Sequence, residues 1–374
     1  MNWRQSRIFF GLQRPECKTM SMNTTFQLFW RCDMWRVIHA VGTGLAILMV
    51  VAMPAGAQTT ASPGQGKTFV SKTIGSHADE VLGVFVNDAN TQFATCSIDE
   101  TIKLWSLPDG KELRTLQGHL GQVNNISYSG DDTYLASGSS DRTVRIWNAE
   151  TGAQEAVLRG HTAEVIGVYF SQGNSNIVAS TSFDKTIKLW DWKLGVELKT
   201  LRGHAMQTNN VAYSYDGRLI ASCSDDRTIK IWSTDAPVRE ALMTLEGHAA
   251  PVLTVLFSFD SKLLASADQD GVVKIWSMPS GDLLRTINAH TELIQDVSFA
   301  EDNTTIVTGS TDKTVKVWNV ATGENLMTHN AGVEVWSLDV TSNGSTIMLG
   351  CADGSVRLLT ESASERGRAP KGGK

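Results

Sequence analysis

The sequence is short of the groups from which catalysis, metal binding or covalent stapling is usually built. Its 374 residues include 5 Cys: Cys17 and Cys32 near the N-terminus, and Cys96, Cys223 and Cys351 scattered along the rest. Cysteines so widely spaced make neither a disulfide framework nor a metal-ligand set. Each of the last three stands in an apolar, strand-like run, which predicts a buried, inert thiol. There is no glycine-rich phosphate loop, no Cys-x-x-Cys pair and no Gly-x-Ser-x-Gly elbow, so no cofactor, metal or catalytic group is indicated. Helical periodicity is missing as well, which leaves an all-β fold class. The body also lacks positive charge. Residues 1–57 carry a net +4, residues 361–374 a net +2 and Lys67 one more, so within the overall −6 the stretch 68–360 stands at −13. A body that acidic repels phosphate backbones, and nucleic acid is not expected as a partner.

A second absence is local. Between Arg36 and Lys67 there is no Lys, Arg, Asp or Glu, and 37–57 is mostly apolar, ending Met53-Pro54-Ala55-Gly56-Ala57-Gln58. A basic start, an apolar run and a small-x-small exit describe a secretory signal peptide cleaved before Gln58. Met34-Trp35-Arg36 ahead of the run reads as an ordinary bacterial-style signal, so Met34 is an alternative start to a long basic prefix. The run is also just long enough to span a bilayer, and an uncleaved anchor there is the one route to a membrane. The chain therefore divides into an N-terminal extension with signal peptide or signal anchor (1–57), a linker (58–67), a body (68–360) and a disordered polar tail (361–374). The expected location is exported, periplasmic or secreted, or membrane-anchored; a cytoplasmic protein with a mis-assigned start is the alternative.

What the body has is repetition. His recurs at His77, His119, His161, His204, His248 and His290, at intervals of 42, 42, 43, 44 and 42 residues. Six of the 11 Trp follow in register: Trp105, Trp147, Trp190, Trp232, Trp276 and Trp318. Six residues before each Trp is an Asp (Asp99, Asp141, Asp184, Asp226, Asp270, Asp312), and four before each Asp a hydroxyl residue (Thr95, Ser137, Ser180, Ser222, Ser266, Thr308). Within a unit, four strand-like runs alternate with turn chemistry. In the second these are Val123–Ser129, Tyr134–Gly138, Thr143–Trp147 and Gln154–Leu158, parted by Gly130-Asp131-Asp132, Ser140-Asp141-Arg142 and Thr151-Gly152. Short strands joined by such turns make antiparallel sheet. Four per unit of about 43 residues is the pattern of a propeller blade.

On these motifs, Gly118-His119…Asp141…Ile146-Trp147, Gly160-His161…Asp184…Leu189-Trp190-Asp191 and Gly203-His204…Asp226…Ile231-Trp232, the chain resembles the WD-repeat family over about residues 68–360. The resemblance implies a seven-bladed β-propeller. It also implies a structural tetrad in each blade, in which the turn Asp bonds to His, His to Ser or Thr, and the hydroxyl to the Trp indole. For blades two to four the tetrads are His119, Ser137, Asp141, Trp147; His161, Ser180, Asp184, Trp190; and His204, Ser222, Asp226, Trp232. Asp, His and Ser together invite comparison with a hydrolase triad. A catalytic site is needed once, however, and this set occurs six times, so it is read as internal fastening. The seventh unit departs: Ala331, Leu349 and Leu359 replace His, hydroxyl and Trp, with Asp353 retained. Its hold is expected to be apolar. It also lacks a fourth strand, whereas Phe69–Ile74 matches the outer-strand runs before His204 and His290. Phe69–Ile74 should complete blade seven and close the ring.

The first strand of a unit has apolar residues four, seven and nine after the His, as Val123, Ile126 and Tyr128 or Val165, Val168 and Phe170, and a gap of three within a strand implies a β-bulge. A bulge turns the residues three and five after the His, with the residue before the turn Asp, toward one rim of the channel. The family resemblance implies that these are the usual contact positions. Blades two and four are polar there, with Gln122, Asn124, Ser140, Gln207, Asn209 and Asp225. The others give an apolar arc of Pro251, Leu253, Leu293, Trp336, Leu82, Ile98, Ile166 and Phe183 beside Glu164. An apolar arc with a Trp suits a protein or peptide partner. The function expected is thus a non-catalytic interaction scaffold, with an intracellular adaptor subunit as the alternative. A propeller hydrolase or lyase is a remote one, since only Glu80, Glu164 and Glu334 stand at that mouth.

Overall fold

In the computed structural model the structure describes residues 69–235 and 240–361, all within one unit, residues 63–374. Its 28 strands form seven four-stranded antiparallel sheets, and there is no helix among the described residues. Six sheets use four consecutive strands; blade two, for example, runs Val123–Tyr128, Tyr134–Ser139, Thr143–Asn148 and Gln154–Arg159. The innermost strands touch their neighbours in cyclic order, the last, Val335–Val340, lying against the first, Val81–Val86. The sheets therefore form a closed ring around a channel.

The closing sheet is assembled from both ends of the described chain. Phe69–Ser76 pairs antiparallel with Ser355–Glu361, setting Phe69 opposite Glu361, Lys72 opposite Leu358 and Ser76 opposite Ser355, with a bulge between Thr73 and Gly75. Ser355–Glu361 continues one residue past the expected end of the body. The 1–57 extension and the 58–67 linker lie outside the described residues, as do the tail residues after Glu361.

Alternating apolar side chains pack sheet against sheet, one buried cluster per seam. Between blades one and two, Ala94, Cys96, Ile102 and Leu104 meet Val123, Ile126, Tyr128 and Trp147; between seven and one, Met348, Val356 and Leu358 meet Val81, Val84, Phe93 and Trp105. Small residues on the second strand let the next inner strand come close. A Cβ added to Gly138 would stand 2.8 Å from Val165 and 2.9 Å from Val168. Cys96 and Cys223 hold the same register as Gly138, which explains their use as small buried apolar groups. All three body cysteines are free and wholly buried, and burial pushes the Cys351 thiol up to about 11. Cys17 and Cys32 lie outside the described residues.

Each turn between the second and third strands carries one left-handed residue: Glu100, Arg142, Lys185, Arg227, Gly271, Lys313 and Gly354, with φ between 67° and 79°. Non-glycine residues in that region are strained, so the turn must be held from outside itself. Deleting residues 67–75 should remove the outer strand of blade seven, at roughly 5 kcal/mol for about five ladder hydrogen bonds. Thermal unfolding followed by circular dichroism should show the melting temperature falling by roughly 10 °C or more; an unchanged melt would mean the ring closes without this pairing.

Candidate interaction rim

A carboxylate, the preceding His, a second-strand hydroxyl and a third-strand Trp converge in six blades, and in five of them the carboxylate is the turn Asp. In blade two, His119 Nδ1 is 2.9 Å from Asp141 Oδ2, His119 Nε2 is 2.7 Å from Ser137 Oγ, and Trp147 Nε1 donates to the same Oγ at 2.8 Å. The corresponding distances are 2.8, 2.8 and 2.8 Å for His161, Ser180 and Trp190 with Asp184, and 3.0, 2.9 and 2.9 Å for His204, Ser222 and Trp232 with Asp226. A carboxylate only accepts and an indole only donates, so Nδ1–H donates to the carboxylate and Trp N–H to the hydroxyl; with a neutral imidazole the hydroxyl O–H then donates to Nε2. Burial, against the pull of Asp141, lowers the His119 pKa and favours that neutral form. Burial alone would raise the Asp141 carboxyl, but hydrogen bonds from His119 and Thr143 outweigh it and hold it well below the usual carboxylate range. The six hydroxyl residues are 0% exposed, so no substrate can reach them as nucleophiles.

Two further groups belong to this fastening and were not singled out from sequence. A Thr two residues after the Asp donates to its second oxygen: Thr101, Thr143, Thr186, Thr228 and Thr314, at 2.5–2.6 Å. A Ser two residues before it accepts the Asp amide, as Ser139 does from Asp141 at 3.1 Å, and donates to the loop carbonyl of Gly121 at 3.0 Å. Their signal was available, since both recur in the same register as the tetrad.

Blade five corrects the expected assignment. His248 Nδ1 pairs with Asp268 at 2.7 Å, not with Asp270. Val272 stands where the other five tetrad blades have Thr, so a carboxylate at 270 would lose its hydroxyl donor. Asp268 occupies the Ser register, is 1% exposed, and accepts from the amides of Asp270 and Val272 at 3.1 and 3.0 Å. It thereby does the work of both residues, while Asp270 is exposed. Blade seven is not held by apolar contacts alone. Ala331, Leu349 and Leu359 are buried as a group, but Arg357 bridges Asp353 at 2.9 Å and the Ala331 carbonyl at 2.7 Å. A guanidinium from the third strand takes the place of the missing imidazole.

Above these fastenings, every inner strand carries the bulge. The pairing register slips across the residue five after the His, at Leu82, Asn124, Ile166, Asn209, Leu253, Gln295 and Trp336. In all seven blades the residue before the turn Asp donates its amide to the carbonyl three after the His, as Ile98 to Glu80, Phe183 to Glu164 and Ala352 to Glu334. The three rim positions of a blade are thus one rigid group. Their side chains are less open than the sequence suggests. Leu253 and Leu293 are both 4% exposed, packed inward, and offer no surface. Leu82, Ile98, Ile166, Phe183 and Trp336 are half-buried. Asn124 and Asn209 reach sideways to the carbonyls of Val165 and Val252 in the next blade, at 2.7 and 2.8 Å. Glu164 accepts from Ser140 across a seam at 2.8 Å. Three polar atoms at bulge positions are buried without a partner: Asn209 Oδ1, Gln295 Oε1 and Trp336 Nε1. Leu120 and Met206, just after His119 and His204, are exposed apolar residues on the loops entering this same end of the strands, and sequence reasoning passed over them. No group of three or more metal-ligating side chains occurs among the described residues.

The profile of the family described as WD domain, G-beta repeat matches residues 69–106, 110–148, 152–191, 195–233, 239–277, 281–319 and 323–359. The chain belongs to the WD-repeat family. No curated protein matches it. Members of this family with such propellers are typically non-catalytic and bind proteins or peptides. The matched WD repeats are offset from the blades. Each begins on the outer strand of one blade and ends on the third strand of the next, so the first, 69–106, starts in blade seven and finishes in blade one. In this WD-repeat propeller Asp268→Ala should cost about 1–3 kcal/mol, as Asp226→Ala should in blade four, because each leaves a buried His without its acceptor. Asp270→Ala should stay within about 0.5 kcal/mol. Denaturant unfolding of the three variants tests the assignment, and a larger loss for Asp270→Ala than for Asp268→Ala would refute it.

Proposed function

We propose that the protein is a non-catalytic interaction scaffold on whose bulge-bearing rim a protein or peptide docks, anchored at Trp336. One observation carries this reading: the indole of Trp336 is half-buried at the rim, at the bulge position of blade seven, among other half-buried apolar rim residues. Apolar contact comes from Leu82, Ile98, Ile166 and Phe183. Large aromatic anchors of this kind dominate binding energy at interfaces. The buried hydroxyls of the tetrads have no part in it.

Trp336→Ala combined with Phe183→Ala should abolish capture of a partner by the chain from Gln58 onward while leaving the melting temperature within a few degrees. An identical set of captured proteins with parent and double variant, by quantitative mass spectrometry, removes this rim from consideration. We further propose export, on the basis of the uncharged run ending at Ala57. Sequencing the N-terminus of the mature protein should give Gln58 first, in a periplasmic or secreted fraction. A cytoplasmic protein that keeps the run would identify an intracellular adaptor instead.

A further inference from the structure

From just past the bulges to the far end of the inner strands the channel holds a cavity of about 310 Å³, a size within the range of small-ligand pockets. Its wall is divided by chemistry. Blades three to five contribute Tyr169, Tyr215 and Phe259, and blades six and seven contribute Asp296 and Asp339. Tyr215 and Phe259 stack at 4.6 Å between ring centres, and Phe85 of blade one meets Tyr169 edge-to-face at 5.7 Å. Asp88 and Glu301 stand exposed at the mouth. There is no Lys, Arg or His in the lining.

The two inner carboxylates receive only neutral donors. Asp296 accepts from Ser337 Oγ at 2.6 Å and from the amides of Leu338 and Val297 at 3.3 and 2.9 Å. Asp339 accepts from Ser298 Oγ and from the amides of Val86 and Val340, each at 2.8 Å. Each carboxylate, with about four lone-pair directions, keeps one free. Tyr128, in the same lining, has a buried hydroxyl with no partner. Burial raises Asp296 to about 7 and Asp339 to about 6, and the second carboxylate adds to the first. A low-dielectric site with two acids and no counter-charge favours whatever brings a positive charge. The aromatic faces opposite favour the same thing through the ring quadrupole.

We propose that this cavity binds a small organic cation, a primary ammonium on an aromatic or alkyl body, with the ammonium on Asp296 and Asp339 and the body against Tyr215 and Phe259. The site faces the channel below the bulges, not the rim itself, and stands or falls independently of partner docking there. The ammonium belongs either to a free amine or to a lysine side chain on a polypeptide.

Isothermal titration of the full chain with phenethylammonium, its neutral counterpart phenethyl alcohol, and a short peptide with one internal Lys separates these sources. Saturable binding of either cation, with the alcohol at least about tenfold weaker, is the expected result. Asp339→Asn should weaken the cation at least about tenfold and leave the alcohol unchanged; Tyr215→Leu should weaken both. Because the cation favours ionised carboxylates, binding near neutral pH should release protons, seen as a heat that changes with the buffer's ionisation enthalpy. The comparison of cation with alcohol needs no variant, so it holds if Asp339→Asn fails to fold. Alcohol binding as tightly as the cation, or no saturation by either cation up to on the order of 10 mM, overturns the proposal.

Discussion

Everything in this propeller depends on one antiparallel pairing, Phe69–Ser76 against Ser355–Glu361. Each blade buries its faces only against its two neighbours, so an open row of seven sheets would leave two faces and two strand edges exposed to water. The pairing makes the row a ring, and the seam between blades seven and one then gains a core of the same kind as the other six. Because the repeat is offset from the blade, the chain interlocks at this point rather than merely meeting itself. The strained left-handed turns and the buried imidazoles are affordable only in a body whose seams are all filled.

Within a blade the corresponding constraint is a chain of hydrogen bonds with one direction, from indole to hydroxyl to imidazole to carboxylate. It satisfies four polar groups without placing a net charge pair in the core, provided the imidazole stays neutral. The two blades that deviate show what is required and what is incidental. Blade five moves the carboxylate by two positions and keeps the imidazole contact, so the acceptor matters and its address does not. Blade seven gives up imidazole, hydroxyl and indole, but keeps the carboxylate and brings a guanidinium to it. A polar tie between the turn and the loop before the inner strand survives in all seven.

The ring, the blade count and the closing strand were legible because they rest on residues that repeat, and repetition separates signal from chance. The bulge could also be read, from the three-residue gap between Val123 and Ile126. Asp268 was not, because two Asp stand close together and only the loss of Thr at Val272 distinguishes their roles. Arg357 escaped notice because every unit has a basic residue in that register, as with Arg145 and Lys188, and nothing local marks one as replacing a His. The inward packing of Leu253 and Leu293 depends on the neighbouring blade, about 40 residues away in the chain. The two-faced cavity is assembled from residues of all seven blades, and no window of sequence contains it.

The register of the closing strand has a mechanical consequence. With Phe69 directly opposite Glu361, the chain enters and leaves the ring at one corner of one blade. A pull on both flanks would load that ladder at its end and peel it bond by bond, whereas a pull on one flank alone would be spread along the whole strand. Both ends of the described chain therefore lie at a single point on the circumference, in one blade of the seven.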